Sequence, residues 1–171
     1  MTALYLGSDH GGYRAKVALK VWLAGQGWAV TDCGTETFDP NDDYPLYAAA
    51  VARLVSADPT SRGILLCRSG QGMAIAANKF PRVRAAVAWN QTSVVASRTD
   101  DDTNILCLPA DQLTELEIKE LVGLWLATPL KSDDRYRRRL RQIEQLEAET
   151  MCGQIRNPKL EIRNTHGNTE F

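Results

Sequence analysis

Five short apolar runs, each followed by a segment with helical periodicity, constrain the fold of this chain more than any other feature. Near-continuous apolar strands separated by helices are typical of a parallel sheet covered on both faces, because each crossover needs a helix. We therefore predict an α/β fold, a three-layer α/β/α sandwich with a Rossmann-like parallel sheet of about five strands and a C-terminal helix. The predicted strands cover residues 4–7, 28–33, 63–67, 85–88 and 104–108, and the predicted helices cover 13–25, 44–57, 71–79, 92–98, 114–127 and 132–149.

The size of the chain suits one such domain. It has 171 residues, of which 44% are hydrophobic, and this is enough to build an ordinary core. We assign residues 1–150 to the domain and residues 151–171 to a polar tail whose composition favours disorder. A formal net charge of -1 argues against a dedicated nucleic-acid binder, which needs a basic excess.

The cysteines and the N-terminus indicate a reducing compartment. Four cysteines stand at positions 33, 67, 107 and 152 and form no Cys-x-x-Cys pair, so we expect reduced thiols and neither disulfides nor a metal site. The N-terminus lacks a basic segment followed by an apolar one, and no segment is long enough to span a bilayer. A cytoplasmic protein with no membrane partner is the prediction.

The segment from Cys67 to Gly72 places a thiol, a hydroxyl and free backbone N–H groups where a predicted strand passes into a predicted helix. Gly70 and Gly72 let the backbone approach a ligand, and the helix N-terminus directs N–H donors at it. An anion or a developing oxyanion fits such a corner. Taken alone, the segment fits equally well a tight turn with a buried structural cysteine.

The glycine-rich segment Gly7–Gly12 follows the first predicted strand but differs from a dinucleotide-binding loop. Its spacing is not Gly-x-Gly-x-x-Gly, and it carries Asp9 and His10, which suit proton transfer better than pyrophosphate binding. Ligands of parallel sheets bind beyond the carboxyl ends of the strands. We expect Asp9 and His10, the Cys67 corner and the acidic run from Asp100 to Asp102 to meet there.

Six segments of the chain together form a recognisable pattern. In order, they are Gly7-Ser-Asp-His-Gly-Gly-Tyr-Arg-Ala-Lys16, Asp43-Tyr-Pro45, Cys67-Arg-Ser-Gly-Gln-Gly-Met73, Ala76-Ala-Asn-Lys79, Ser97-Arg98 and Asp102-Thr-Asn104. With these segments the chain resembles, over residues 2 to about 147, the ribose-5-phosphate isomerase B family, which includes the galactose-6-phosphate isomerase subunits. This resemblance implies an aldose–ketose isomerase of sugar phosphates without cofactor or metal, working as a homodimer or homotetramer with sites shared between subunits.

The same resemblance implies the roles of individual residues. Cys67 is the base that takes the proton from carbon 2, and Ser69 assists at the adjacent oxygen. The chemistry agrees, because a helix N-terminus and the neighbouring Arg68 can lower the pKa of a thiol. Some relatives use a glutamate at the position of Met73, which leaves Cys67 as the base here. The binding roles fall to the N–H groups of Gly70, Gln71, Gly72 and Met73 for the enediolate, to Asp9 and Tyr44 for sugar hydroxyls, and to His10, Arg135 and Arg139 for phosphate.

The chain departs from the family pattern before Asp102. Relatives have a His-Asn pair there, whose histidine is assigned to opening the furanose ring of the sugar, and this chain has Asp100 and Asp101 at those two positions. We predict that Asp100 takes over ring opening and that Asp101 contacts substrate, provided that the adjacent carboxylates raise the pKa of Asp100. A solvated acidic loop is the alternative.

Two further changes affect anion binding. Arg68 stands beside Cys67 where relatives have a small residue, and Asp111 stands where they often have an arginine. A relocated anion site, to which Arg68 contributes, or a different substrate explains both changes. In the arginine-rich segment 135–141, helical spacing puts Arg135 and Arg139 on one face as a phosphate clamp. Nucleic-acid binding by this segment is a minor alternative.

The leading hypothesis is conversion of ribose 5-phosphate to ribulose 5-phosphate. A four-carbon or six-carbon sugar phosphate is an alternative substrate, because the altered ring-opening pair matters least for a sugar that is already open. A sugar-phosphate-binding subunit without catalysis is a second alternative, which the presence of Cys67 disfavours.

Overall fold

A computed structural model describes residues 2–151 of the chain as one α/β unit. The predicted tail, residues 151–171, lies outside the described residues except for the last helical position. The strands are β1 (Leu4–Ser8), β2 (Val30–Asp32), β3 (Arg62–Cys67), β4 (Ala85–Val87) and β5 (Ile105–Pro109), and the helices are α1 (Tyr13–Gly25), α2 (Tyr44–Ala57), α3 (Gln71–Ala77), α4 (Gln91–Thr99), α5 (Glu115–Ala127) and α6 (Asp134–Met151).

The five strands form one parallel sheet in the order β2-β1-β3-β5-β4, which confirms the predicted fold class. The two edge strands are three residues long and shorter than predicted. The central strands β1, β3 and β5 are almost fully buried. Because helices cover both faces of these strands, their sequences are apolar throughout rather than alternating.

Side chains of successive strand residues pack alternately into two separate hydrophobic cores, one on each face of the sheet. Ile64 and Leu66 face one layer, in which Trp125 of α5 is fully buried. Leu65 and Cys67 face the other layer, which contains α2 and α3. This alternation along β3 fixes its register, since a shift by one residue would exchange the two faces.

Two predicted helix boundaries are wrong by a few residues for local reasons. Helix α3 ends at Ala77, and the side chain of Asn78 then exchanges two hydrogen bonds with the backbone of Ala85, which directs the chain into β4. Helix α6 starts at Asp134, because the N–H of Lys131 donates to the carbonyl of Thr99 and keeps the preceding loop extended along α4.

The strand order reverses direction between β1 and β3, and this places a crevice at their carboxyl ends. The loops from Asp9 to Gly12 and from Arg68 to Gly70 leave the sheet at this point. The expectation that Asp100–Asp102 join them is wrong within one protomer. These residues follow α4 and precede β5, so they lie at the amino end of the sheet.

Candidate active site

The loop between β1 and α1 is packed tightly on β3. A methyl group added at Gly12 would lie 2.6 Å from the carbonyl carbon of Leu66, so only glycine fits there. The N–H of Gly12 donates to Oδ1 of Asp9 at 3.1 Å, and the Asp9 side chain is buried at the sheet edge. Burial raises the pKa of Asp9 above its ordinary value, although this hydrogen bond opposes the shift.

His10 is held by a carboxylate that sequence reasoning missed. Oδ1 of Asp42 accepts both the backbone N–H of His10 at 2.8 Å and a hydrogen bond with its Nδ1 at 2.7 Å. The hydrogen bond to Asp42 is the main cause that raises the pKa of His10. Burial disfavours ionisation of Asp42, but the hydrogen bonds from His10 and from Tyr47 outweigh it and lower its pKa. No motif spacing links positions 10 and 42, so the sequence held no signal for this pair.

The strand-to-helix corner after β3 turns the Cys67 thiol toward backbone donors. Cys67 is 5% exposed, and the N–H of Gly70 points at its Sγ over 3.1 Å. Gly70 has a φ of +73°, a left-handed conformation that glycine adopts without a Cβ clash. Its carbonyl accepts the N–H of Ala74 at 3.2 Å and so starts α3. The first-turn N–H groups of this helix have no intrahelical acceptor and face the corner.

Tyr44 and Ser69 flank the corner. A methyl group at Gly72 would lie 2.7 Å from the Tyr44 ring, so the glycine lets this ring lie flat against the start of α3. The Ser69 hydroxyl accepts the N–H of Gln71 at 3.4 Å. Gln71 and Ser69 are exposed, whereas the Met73 side chain is fully buried and contributes only its backbone to the corner.

The two departures beside this corner compensate each other. Arg68 and Asp111 approach to 3.8 Å across the exposed rim of the site. The backbone joins them as well, since the N–H of Asp111 donates to the carbonyl of Arg68 and that of Ala110 donates to the carbonyl of Cys67. The charge of Arg68 is therefore partly matched by Asp111.

The remaining predicted site residues form a second group at the amino end of the sheet. Asp100 accepts hydrogen bonds from Oγ1 of Thr99 at 2.7 Å and Nζ of Lys131 at 3.2 Å. The Thr99 hydrogen bond, followed by the Lys131 contact, lowers the pKa of Asp100 despite partial burial. The expected rise in this pKa is wrong. The role of Asp100 in ring opening stays a prediction, but its ionised form has no proton to donate.

Asp101 has the environment expected for Asp100. Loss of hydration and the charge of Asp100 raise the pKa of Asp101, while the charge of Arg139 opposes the rise. Arg135 donates to the hydroxyl of Tyr136 at 3.0 Å, and its guanidinium lies 4.8 Å from the centre of that ring. Arg135 and Arg139 lie one turn apart on α6, and both are exposed.

Asp102, the last residue of the acidic run, is held in place by two arginines. It has a φ of +45°, and its two carboxylate oxygens accept hydrogen bonds from Arg98 at 2.7 Å and Arg84 at 2.9 Å. Arg98 is itself buried, and it also donates to the carbonyl of Thr103. No separate role for Asp102 could be predicted, because its two arginine partners come from different parts of the chain.

Within residues 2–151 no cluster of three or more histidine, cysteine or acidic side chains could hold a metal ion. In the same part of the chain no helix is both long and apolar enough to cross a membrane.

Fold and site together define a class: α/β proteins with an open parallel sheet and with acid–base side chains at its switch point, an arrangement suited to a small anionic ligand. The sequence family described as Ribose/Galactose Isomerase matches residues 4–143. The chain belongs to this family.

Relatives of known name span nearly the whole chain. The chain is 36% identical over 137 residues to the protein named ribose-5-phosphate isomerase B of Mycolicibacterium paratuberculosis, covering 80% of this chain and 86% of that one. It is 35% identical to that of Escherichia coli K12 over 148 residues, covering 86% and 97%. The crystal structure of ribose-5-phosphate isomerase B from Mycoplasma genitalium with bound ribulose-5-phosphate superposes with a TM-score of 0.84 at 33% identity, covering 86% and 97%.

Proposed function

We propose that this chain is a ribose-5-phosphate isomerase of type B that converts ribose 5-phosphate to ribulose 5-phosphate with Cys67 as the base. The observation that carries the proposal is the buried Cys67 thiol under the N–H of Gly70, at the start of a helix. The thiolate is the form of a cysteine that removes a proton, and the N–H of Gly70 is a backbone donor aimed at this sulfur. Relatives named ribose-5-phosphate isomerase B support the choice of substrate.

The reaction needs a base and donors aimed at a developing negative charge. Cys67 takes the proton from carbon 2 of the open aldose, and the electrons of that bond form the enediolate between carbons 1 and 2. The proton is then delivered to carbon 1, which gives the ketose. The N–H groups from Gly70 to Met73 stabilise the enediolate, and one such donor typically contributes about 3–4 kcal/mol. The Ser69 hydroxyl relays the proton between the two oxygens.

In this proposal, substrate binding requires the residues around Cys67 at the carboxyl end of the sheet and also those at its amino end. Asp9 and Tyr44 bind sugar hydroxyls beside Cys67, and His10 faces the phosphate there. Arg135 and Arg139 lie at the other end of the sheet in the same protomer, so we assign the phosphate clamp to these arginines of a second copy. Asp100 and Asp101 reach the sugar from that copy as well.

A homodimer or homotetramer therefore forms part of the proposal. Helix α6 supports it, because Ile143 and Leu146 of its apolar stripe are 46% and 62% exposed in one protomer. Exposed apolar stripes of this kind are typical of interfaces. A cytoplasmic location is part of the proposal as well, and it rests on the cysteine pattern of the sequence, which contains no Cys-x-x-Cys pair.

One observation favours a second candidate substrate. An ionised Asp100 cannot protonate a ring oxygen, and a four-carbon sugar phosphate, which has no furanose ring, needs no such step. The general reaction is the same in both cases.

Replacement of Cys67 by alanine tests the proposal. We expect Cys67→Ala to fold normally and to lose both ketose formation and exchange of the carbon 2 hydrogen with deuterated solvent. Cys33→Ala, which removes a half-buried thiol directly after β2, is the matched control and should keep both activities. Wild-type exchange in Cys67→Ala would contradict the assignment of the base.

A further inference from the structure

Opening a furanose ring requires an acid for the ring oxygen and a base for the anomeric hydroxyl. Asp100, the residue at the place of the family's ring-opening histidine, is hydrogen-bonded in its ionised form by Thr99 and Lys131. The acid must therefore come from elsewhere in the site. His10 is the single histidine among residues 2–151, and it lies at the switch point.

The imidazole of His10 is held in one orientation. Its Nδ1 and its backbone N–H share the same Asp42 oxygen, and the Asp42 side chain is only 6% exposed. Nδ1 is thereby occupied, so Nε2 is the nitrogen that can face a ligand. The ring itself is 28% exposed. The neighbouring Gly11 touches the Cys67 corner, because a methyl group there would lie 2.6 Å from Cγ of Arg68.

The charged groups around His10 favour its imidazolium form relative to that of an isolated histidine. Asp42 from the loop before α2 and Asp9 from its own loop both raise its pKa, and burial only partly opposes them. Tyr47 of α2 donates a hydrogen bond to Asp42 and keeps that carboxylate ionised. The nearby cation Arg68 is balanced by Asp111. His10 is thus better suited to donate a proton than Asp100, whose pKa is lowered.

We propose that His10, anchored by Asp42, is the acid that opens the sugar ring in this protein, an inference that rests on the proposed function. The Nε2 proton passes to ring oxygen O4 while the C1–O4 bond breaks and its electron pair goes to O4. The anomeric hydroxyl gives its proton to the Asp9 carboxylate, and the released pair completes the C1=O bond. Exchange with solvent restores both side chains.

This role is compatible with a phosphate near His10. O4 and the phosphate-bearing O5 of ribose 5-phosphate sit on adjacent carbons, so one imidazolium can contact the ring oxygen and also attract the phosphate. Asp42 acts as a positioning residue, since it touches His10 and not the sugar.

The Cys67→Ala background separates ring opening from isomerisation, because it lacks the base for carbon 2. We would measure the interconversion of the α and β anomers of ribose 5-phosphate by NMR exchange spectroscopy at saturating substrate. Wild-type ketose formation, measured first, tests the proposed function by itself. We expect Cys67→Ala to accelerate anomer interconversion and Cys67→Ala/His10→Asn to lose about 100-fold of that rate or more. The amide group introduced by His10→Asn can still donate a hydrogen bond to the Asp42 carboxylate, so the variant removes the titrating ring but keeps a partner for Asp42.

Asp42→Asn in the same background should lower the pKa of His10, read from its imidazole resonances, and shift the pH profile of anomer interconversion in parallel. Asp39→Asn is the matched control, since Asp39 is an exposed acid of the same loop whose carboxylate accepts the N–H of Asn41. The proposal is overturned if Cys67→Ala does not accelerate interconversion, or if the His10→Asn double variant matches Cys67→Ala. Weaker substrate binding with an unchanged saturated rate would assign His10 to phosphate binding alone and also overturn it.

Discussion

Gly12→Ala should mainly reduce stability and Gly72→Ala should mainly reduce activity, although both glycines make space for a neighbour at the site. At Gly12 the neighbour is backbone: the added methyl would lie 2.6 Å from the carbonyl carbon of Leu66 and closer to its oxygen. Ordinary C···O contacts are about 3.3–3.6 Å, so α1 and β3 would have to separate by roughly 1 Å. At Gly72 the neighbour is the ring of Tyr44, which is 38% exposed and can turn into solvent.

The expected free-energy changes follow from this difference. Overpacking against a fixed backbone costs about 3 kcal/mol or more, and the lower entropy of the unfolded alanine chain offsets roughly 0.4–1 kcal/mol of it. Gly12→Ala should therefore lower the free energy of unfolding by about 2–3 kcal/mol. For a domain of this size that corresponds to a fall in Tm of roughly 4–12 °C. Gly72→Ala should lose less than about 1 kcal/mol, but it displaces Tyr44 and should reduce kcat/KM.

Urea unfolding followed by circular dichroism, together with the isomerase assay, checks both variants. Gly12→Ala should show the large loss of stability, and Gly72→Ala the large loss of activity relative to stability. Equal losses of stability in the two variants would refute the distinction between a rigid and a movable neighbour. A Gly12→Ala variant as stable as wild type would show that the loop is less tightly packed than the structure indicates.

Three further predictions concern charged groups. Asp32→Asn removes the carboxylate partner of Lys16, which is 1% exposed and 3.0 Å away, and should cost about 3 kcal/mol of stability in urea unfolding. Burial opposes ionisation of Asp32, but Lys16, the Gly34 N–H and Lys20 outweigh it and lower the pKa of Asp32. The stability that this carboxylate contributes is present above its pKa in the unfolded chain and is lost as the pH falls through its pKa in the folded protein. Asp32→Asn should therefore lose less stability on acidification than wild type. Arg135→Ala and Arg139→Ala should each raise KM by about tenfold and lower kcat less, as steady-state kinetics would show, whereas an unchanged inhibition constant for phosphate would remove both from the site. Asp100→Asn should slow ribose 5-phosphate turnover by less than about tenfold, because the ionised carboxylate donates no proton; a loss near 100-fold would restore Asp100 as the ring-opening acid.

The layered fold could be predicted because its signal is local. The apolar runs and helical periodicities predicted helices α1 and α2 to the residue, since their ends coincide with glycine, proline and aspartate signals. The Cys67 corner could be predicted as well, because its donors and thiol are contiguous in sequence.

The features of the site that could not be predicted from the sequence depend on contacts between residues that are far apart in the chain. The Asp42–His10 pair spans 32 residues, and the lowered pKa of Asp100 depends on Lys131, which is 31 residues away. The placement of Asp100 was wrong for a topological reason: a residue that precedes a parallel strand lies at the opposite end of the sheet from one that follows it.

The separation of the site residues between the two ends of the sheet has a genetic consequence in the proposed dimer. A subunit with Cys67→Ala still offers its arginines to its neighbour, and a subunit with Arg139→Ala still offers its thiol. Mixed dimers of these two defective chains contain one intact site and one that carries both lesions. With random assortment half of the dimers are mixed and each of these has one intact site. At substrate concentrations well below KM, where Arg139→Ala alone keeps at most about a tenth of the activity, co-expression of the two defective genes would therefore give about a quarter of the wild-type activity. Defects at the two ends of the sheet would then behave as complementing alleles, whereas two defects at the same end would not.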